Sequence, residues 1–173
     1  AFEYVAPNPA PTVAAPASAS PNPAPGTTTQ LSVLGADNGG EAALTYTWAT
    51  TGTPPAAVAF SVNGTNASKT ALATFTKAGT YGLSVTIKDA GNQTVSSSVK
   101  VTVGQTLTTV AVSPPTAGVA AGATQAFSAA GLDQFGAAMN PQPGWTWSVT
   151  GGGSISASGV FTGARIQIVF SKK

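Results

Sequence analysis

Apolar and polar residues alternate along much of the chain from residue 27 onward. A period of two places alternate side chains on one face of an extended strand, whereas a helix repeats about every 3.6 residues. Five segments carry this alternation, and their apolar positions are Leu31 and Val33; Leu44, Tyr46 and Trp48; Val58, Phe60 and Val62; Tyr81, Leu83, Val85 and Ile87; and Val95, Val99, Val101 and Val103. Each segment is therefore predicted to be a strand with one face turned toward a core.

Turn-forming residues separate these predicted strands. Gly, Pro, Asn and Asp cluster at residues 37–40, 54–55, 63–64 and 90–92, and helical periodicity is absent. These residue types favour tight turns because of their backbone preferences and their short polar side chains. Many short strands with regular turn signals are typical of a β-sandwich. We therefore predict an all-β fold of the sandwich type.

The stretch of residues 6–26 is rich in Pro, Ala and Ser and holds seven of the thirteen prolines. Proline lacks the N–H group that a β-ladder needs, so the stretch begins as an extended linker. Its part TVAAPASAS, residues 12–20, is also compatible with a first strand at a sheet edge, where proline is tolerated.

The first half of the chain resembles the PKD-type immunoglobulin-like domain. The resemblance is carried by LTYTW and then by KAGTYGLSVTIKDAGNQTVSSSVKVTV, and it covers residues 12–103. The family places an acidic turn after the tryptophan, whereas this chain has ATTG at residues 49–52. Calcium or surface chemistry that depends on that turn is therefore not carried over.

The second half resembles bacterial immunoglobulin-like domains of the Big_2 type. Three segments carry the resemblance: the opening VAVSP, the stretch GATQAFSAAGLDQFG, and WSVTGGGSISASGVFTG. Together the two resemblances imply an all-β fold with two immunoglobulin-like β-sandwiches in tandem. We expect residues 1–11 to be the tail of a preceding module with a linker, 12–103 the PKD-like sandwich, and 104–173 the Big_2-type sandwich. The Big_2 family continues with two further strands that the ending ARIQIVFSKK does not match, so this module is expected to be truncated or to end in a non-native strand.

The C-terminal segment itself has the pattern of a strand. Its alternate apolar residues are Ile166, Ile168 and Phe170. We predict that they substitute for a missing strand and pack near Phe127, Trp147 and Phe161. The same segment in a second molecule could complete the sheet, which would give a strand-swapped dimer through Ile166–Phe170.

Composition excludes several classes of function. The chain has no Cys and no His, so a zinc, copper, haem or iron–sulfur site and a disulfide framework are not expected. Charged residues make up 7% of the chain and the net charge is +2, with basic residues scattered rather than grouped. This pattern does not favour nucleic-acid binding. No apolar run approaches the roughly 20 residues of a membrane helix. The first residues show no initiator Met, charged n-region or apolar h-region. We therefore expect an internal fragment, or a mature segment whose signal lies elsewhere, of a longer protein that is secreted or displayed on the cell surface.

The acidic residues are few and are not paired for catalysis. They are Glu3, Asp37, Glu41, Asp89 and Asp133. The main interpretation is that Asp37 and Asp89 bond to the backbone of their own turns. The alternative is a weak calcium site that uses Asp37, Glu41 or Asp89. Serine is abundant, but no G-x-S-x-G motif or histidine base accompanies it. We therefore expect no catalytic residue and no cofactor.

Three tryptophans are the remaining candidates for binding. Trp48 and Trp147 are each predicted to be buried core residues, with Ala substitutions costing about 3–5 kcal/mol. Trp145 lies at the start of its predicted strand, after Pro143 and Gly144. An exposed aromatic face suits the C–H face of a sugar ring, so Trp145 is the candidate for carbohydrate stacking.

Two covalent modifications were also considered from the sequence. Asn63 and Asn66 each begin a formal glycosylation motif, although a polar turn explains the same residues. A Lys–Asn isopeptide bond needs lysine, asparagine and an acid together in the core. Lys88 and Lys100 both face outward by strand parity, which disfavours it.

Three functions fit this sequence, and fold alone does not choose between them. The leading hypothesis is a pair of non-catalytic spacer or presentation modules in a multidomain bacterial protein, with neighbouring domains of the same polypeptide as partners. One alternative is a carbohydrate-binding accessory module of a secreted glycoside hydrolase, with a polysaccharide as partner. The other is an adhesin repeat.

Overall fold

The computed structural model describes residues 8–164. The chain divides into two compact units, Ala1–Thr106 and Leu107–Lys173, here called the first unit and the second unit. Nearly all regular structure is antiparallel β-strand, and the prediction of an all-β fold is confirmed. No helix among residues 8–164 combines the length and the apolar character needed to cross a membrane.

The first unit contains two antiparallel sheets. One sheet has the strand order β1-β2-β5-β4, with β1 Thr12–Ser20, β2 Thr28–Ala36, β4 Ala59–Phe60 and β5 Thr70–Thr74. The other has the order β3-β6-β7, with β3 Thr45–Thr51, β6 Gly79–Lys88 and β7 Thr94–Val103. Two short 3-10 helices, Glu41–Ala43 and Asn66–Lys69, lie in the connections.

The proline-rich stretch forms an edge strand, as one of its two interpretations predicted. The pairing of β1 with β2 skips Pro16 and Ala17, so the missing N–H of proline falls in an irregularity of the ladder. The N–H of Ala17 instead donates to Ser97 Oγ of β7 at 2.9 Å. Further on, Ala24 forms a parallel bridge with Val103. The N-terminal stretch thus passes from one sheet to the edge of the other and closes the sandwich.

The core of the first unit follows the alternation of the sequence. Its buried hydrophobic residues are Ala24, Leu31, Val33, Leu44, Tyr46, Trp48, Ala71, Ala73, Phe75, Tyr81, Leu83, Val85, Ile87, Val101 and Val103. Trp48 is 2% exposed, and its indole N–H donates to the Ser68 carbonyl at 2.8 Å. The predicted burial of Trp48 is confirmed. At Gly35 an added Cβ would lie 2.8 Å from Leu44 Cδ1 and 2.9 Å from Ile87 Cγ2, so the packing of the core leaves no space for a larger residue there.

One predicted strand of the first unit is largely wrong, and another was missed. Only Ala59 and Phe60 form β4, and Val62 is 39% exposed. The neighbouring strand β5 was not predicted, although Ala71, Ala73 and Phe75 alternate and are buried. Because alanine carries little apolar surface, alternating alanines are a weak sequence signal for a strand. In β5 they nevertheless mark the side that is buried in the core.

The second unit has two small sheets. Strands β8, Leu107–Ser113, and β10, Ser128–Asp133, form an antiparallel pair. Strands β9 Thr124–Ala126, β11 Gly153–Ile155 and β12 Val160–Gly163 form a second sheet, in which β12 is central. Every residue of β8 is exposed, with Val110 at 46%. Among residues 107–164, no hydrophobic side chain is classed as buried.

The predicted burial of Trp147 is not borne out, because this side chain is only half-buried. The segment WTWSVT, residues 145–150, also forms no strand. Before this segment, the Met139 N–H donates to the Gly131 carbonyl at 2.9 Å, and Gln142 Oε1 accepts the N–H of Gly131 at 2.7 Å. Prolines at 141 and 143 flank this glutamine and have no N–H to donate, which explains why main-chain pairing with β10 does not continue here. The predicted C-terminal strand, Ile166–Phe170, lies outside the described residues.

Candidate functional site

The densest polar cluster of the first unit surrounds Glu41, the first residue of a 3-10 helix. Lys69 Nζ lies 2.8 Å from Glu41 Oε2, while the Tyr46 hydroxyl donates to Glu41 Oε1 at 2.9 Å. The hydrogen bond from Lys69 is the main cause that lowers the pKa of the Glu41 carboxyl; burial opposes it, and the hydrogen bonds from Tyr46 and Asn66 and the charge of Lys69 lower the pKa further. Glu41 therefore serves as an ionised anchor for its surroundings.

Tyr46 connects this cluster to the core. Its ring is fully buried, its hydroxyl accepts the N–H of Gly35 at 3.1 Å, and the same hydroxyl donates to Glu41. Burial raises the pKa of the Tyr46 phenol, and the adjacent Glu41 carboxylate also raises it, against the lowering effect of the Gly35 N–H. The phenol thus stays protonated and works as a structural bridge between the two sheets.

The two asparagines of the glycosylation motifs are used by the fold. Asn63 Oδ1 accepts the N–H of Trp48 at 2.7 Å, and its Nδ2 donates to the Trp48 carbonyl at 2.9 Å. Asn66 Nδ2 donates to the carbonyls of Glu41 at 2.8 Å and Leu44 at 3.0 Å. Each side-chain amide therefore forms hydrogen bonds with backbone groups that have no partner in a neighbouring strand. This role favours the polar-turn interpretation of both motifs.

The structure brings together a lysine, an asparagine and an acid that the sequence analysis did not connect. Lys69 Nζ donates to Asn66 Oδ1 at 3.1 Å, and Asn66 Nδ2 donates to Glu41 Oε1 at 3.0 Å. Lys88 and Lys100, the two lysines that were considered, are exposed as predicted. About a third of the Lys69 and Glu41 side chains is exposed, at 33% and 30%. Isopeptide chemistry needs a desolvated, neutral amine, so at this hydrated position the groups form an ion pair instead.

The other two candidate metal ligands are bonded within their own turns. Asp37 Oδ2 accepts the N–H of Gly39 at 2.8 Å, while its buried Oδ1 has no hydrogen-bond partner in the described part of the chain. Asp89 is 4% exposed, and its carboxylate accepts from the Gln93 N–H at 2.8 Å and from Asn8 Nδ2 at 2.9 Å. Within residues 8–164 no three acidic side chains come together as a group that could hold a metal ion.

Asp133 in the second unit repeats the turn of Asp89. The Asp133 carboxylate accepts the N–H of Ala137 at 3.0 Å, as Asp89 accepts that of the residue four positions later. In both turns the aspartate N–H also donates to the carbonyl of that fourth residue, and the third residue has a positive φ: 66° at Asn92 and 74° at Gly136. Both turns share a sequence signal, an aspartate followed three residues later by Asn or Gly, and this signal is sufficient to predict the second turn from the first.

An open apolar cleft lies in the second unit and has a volume of about 470 Å³. Its apolar walls are formed by Ala117, Val119, Phe127, Trp147, Val149, Ile155 and Phe161. Trp145, the predicted carbohydrate-stacking residue, is half-buried and does not line this cleft. The two tryptophans therefore occupy different places: Trp147 lines the cleft, and Trp145 lies elsewhere on the second unit.

Comparisons with known proteins find similar solved structures but no family. No protein-family model matches the chain, and neither does any curated protein. The chain is similar to the solution structure of the PKD domain from KIAA 1837 protein, with 24% identity and a TM-score of 0.38 over 61% of this chain and 95% of that one. It is also similar to surface layer protein SbsC, domains 1-6, with 17% identity and a TM-score of 0.32 over 91% of this chain and 25% of that one. These likenesses carry no argument about activity, which is therefore argued from the side chains.

Proposed function

We propose that the chain consists of non-catalytic immunoglobulin-like modules that act as spacers in a secreted or cell-surface multidomain bacterial protein. In this role the modules present a neighbouring catalytic or adhesive domain of the same polypeptide. The first unit is the PKD-like module in this proposal, and the second unit is the Big_2-type module.

The observation that carries this proposal is the use of the acidic side chains. The four acids within residues 8–164 are all hydrogen-bonded to their own unit: Asp37, Glu41, Asp89 and Asp133. Catalysis requires carboxylates that face a cleft and a substrate. Here three of the carboxylates accept backbone N–H groups of turns, and Glu41 pairs with Lys69. These side chains therefore support a scaffold rather than a reaction.

The aromatic residues of the first unit support the same interpretation. Trp48, Tyr46, Tyr81 and Phe75 are all buried, and Phe60 is half-buried. Stacking on a sugar ring requires an exposed aromatic face beside polar groups. Among its described residues, the first unit therefore presents no fully exposed aromatic platform, which favours a spacer over a carbohydrate-binding module for this half of the chain.

Two rival functions give different outcomes in the same experiment. A carbohydrate-binding module would use Trp145, and an adhesin repeat would bind a host or matrix protein. The full chain should be tested for retention on cellulose and chitin, and by tryptophan fluorescence with soluble polysaccharides. The matched control is Trp145→Ala.

The spacer proposal predicts no retention and no change of emission for either protein. A polysaccharide-dependent shift that is lost in the Trp145→Ala variant would overturn it in favour of sugar binding. Saturable capture of the chain by an immobilised matrix protein would overturn it in favour of the adhesin.

A further inference from the structure

The cleft of the second unit has the composition of a core that lacks one of its elements. Apolar side chains from three parts of the unit face it: Phe127 follows β9, Trp147 and Val149 come from the irregular segment, and Ile155 and Phe161 belong to β11 and β12. None of these side chains is fully buried. Large apolar side chains that border an open space of this size lack van der Waals contacts on that side, which lowers the stability of the domain. Folded domains normally fill such spaces with other side chains.

The chain itself leads an apolar segment to the rim of this cleft. Strand β12 ends at Gly163, and its neighbour Ala164 donates its N–H to the carbonyl of Gly152 at 2.8 Å. Gly152 lines the cleft, so the described part of the chain ends beside its rim. Nine residues follow Ala164. At about 3.3 Å per residue, they reach roughly 30 Å when extended, which is the length of a long strand.

The sequence of these nine residues matches the cleft. Ile166, Ile168 and Phe170 alternate with Gln167 and Val169, and no proline interrupts them. One face of such a strand is large and apolar, as the walls of the cleft are. The charged residues Arg165, Lys172 and Lys173 flank the apolar part, which limits the buried length to Ile166–Phe170.

We propose that the cleft is a strand-acceptor site and that its occupant is the C-terminal segment Ile166–Phe170 of the same molecule. The side chains of Ile166, Ile168 and Phe170 enter the cleft and cover Trp147, and the other face of the segment remains toward solvent. The same segment from a second molecule is the competing occupant.

The test compares two substitutions in the full-length chain, Ile168→Asp and its matched control Val169→Asp. Both introduce the same charge, but only Ile168 belongs to the face that enters the cleft. Hydrogen exchange measured by mass spectrometry should rise about tenfold or more in peptides covering residues 145–161 for Ile168→Asp, and less than about twofold for Val169→Asp. Peptides of the first unit, whose core is separate, report whether the rest of the protein is intact.

Sedimentation of the unmodified chain identifies which molecule supplies the strand. The proposal predicts a monomer whose protection at residues 145–161 does not change on dilution. Equal exchange in the two variants, or no effect of either, would overturn it. A dimer whose protection is lost on dilution would also overturn it, because the occupant would then be a second copy.

Discussion

The two units share a turn but differ in what their strands enclose. Asp89 and Asp133 build the same aspartate turn, with the same backbone bonds and a positive φ at the same position. Yet fifteen hydrophobic residues are buried among residues 8–106, whereas none is buried among residues 107–164. The difference lies in the sheets: seven strands form the described part of the first unit, and five form that of the second.

This difference shows that the sequence pattern of a strand does not by itself determine whether the strand packs in a hydrophobic core. Strand β8 carries Val110 and Val112 on one face, and it forms an antiparallel ladder with β10. Val85 in β6 is nevertheless fully buried while Val110 in β8 is 46% exposed. Burial requires an opposing sheet, and apolar surface contributes stability only in proportion to the area that another surface removes from water.

The largest expected effect is the removal of the central tryptophan of the first unit. Trp48→Ala deletes a fully packed ring and the hydrogen bond to the Ser68 carbonyl, and should lower the free energy of unfolding by about 3–5 kcal/mol. Chemical denaturation followed by circular dichroism measures this change. A loss below about 1 kcal/mol would show that the first unit does not depend on its sandwich core.

A matched pair of valine substitutions tests the contrast between the units directly. Val85→Ala should cost about 2 kcal/mol, because it opens a cavity between two sheets. Val110→Ala removes the same atoms from an exposed strand and should change stability by less than about 0.5 kcal/mol. Thermal melts of both variants, compared with the unmodified chain, give the two numbers. Equal costs would mean that a surface covers β8 after all.

The aspartate turns give a smaller effect that should be equal in the two units. Asp89→Ala leaves the Gln93 N–H and the Asn8 amide without their acceptor, and Asp133→Ala does the same to the N–H groups of Phe135 and Ala137. Each change should cost about 1–2 kcal/mol. Denaturation monitored by unit-specific exchange separates the two. Markedly different costs would contradict the equivalence of the turns.

The smallest effect is the pH dependence of the Glu41 ion pair. The pKa of Glu41 is lowered in the folded protein from its ordinary value of 4.5. Its contribution to stability is therefore present above pH 4.5 and is lost as the pH falls through the lower folded pKa. The pair is partly exposed, so the effect should be small and reduced by salt. Glu41→Gln should flatten this part of the stability–pH curve, and an unchanged curve would contradict the role of the pair.

The strands of the first unit could be predicted because their alternation is carried by large residues. Tyr81, Leu83, Val85 and Ile87 alternate in the sequence, and all four are buried in β6. Strand β5 escaped prediction because its inward residues Ala71 and Ala73 are small. The prediction that Trp147 is buried was wrong for another reason. Burial depends on the surfaces that lie opposite a residue, and the local sequence pattern carries no information about them.

The polar clusters could not be predicted from spacing along the chain. Glu41 and Lys69 are far apart in sequence and meet only because two 3-10 helices lie beside each other. The amide of Asn63 clamps Trp48 across a separation of 15 residues. Such contacts depend on how connections fold over a sheet. By contrast, the bonds of Asp37 and Asp89 within their own turns are local, and the sequence predicted them.

The central claim is that the first unit carries a closed core and the described part of the second does not. Hydrogen exchange of the full-length chain, resolved to individual strands, tests this claim most directly. Among the described residues, strand β6 is paired on both sides and β8 only with β10, so the comparison uses the β8 amides that bond to β10 and thereby reports the stability of the two units rather than the presence of hydrogen bonds. The account predicts exchange in β6 at least about a hundredfold slower than in β8, whereas rates within about threefold of each other would contradict it.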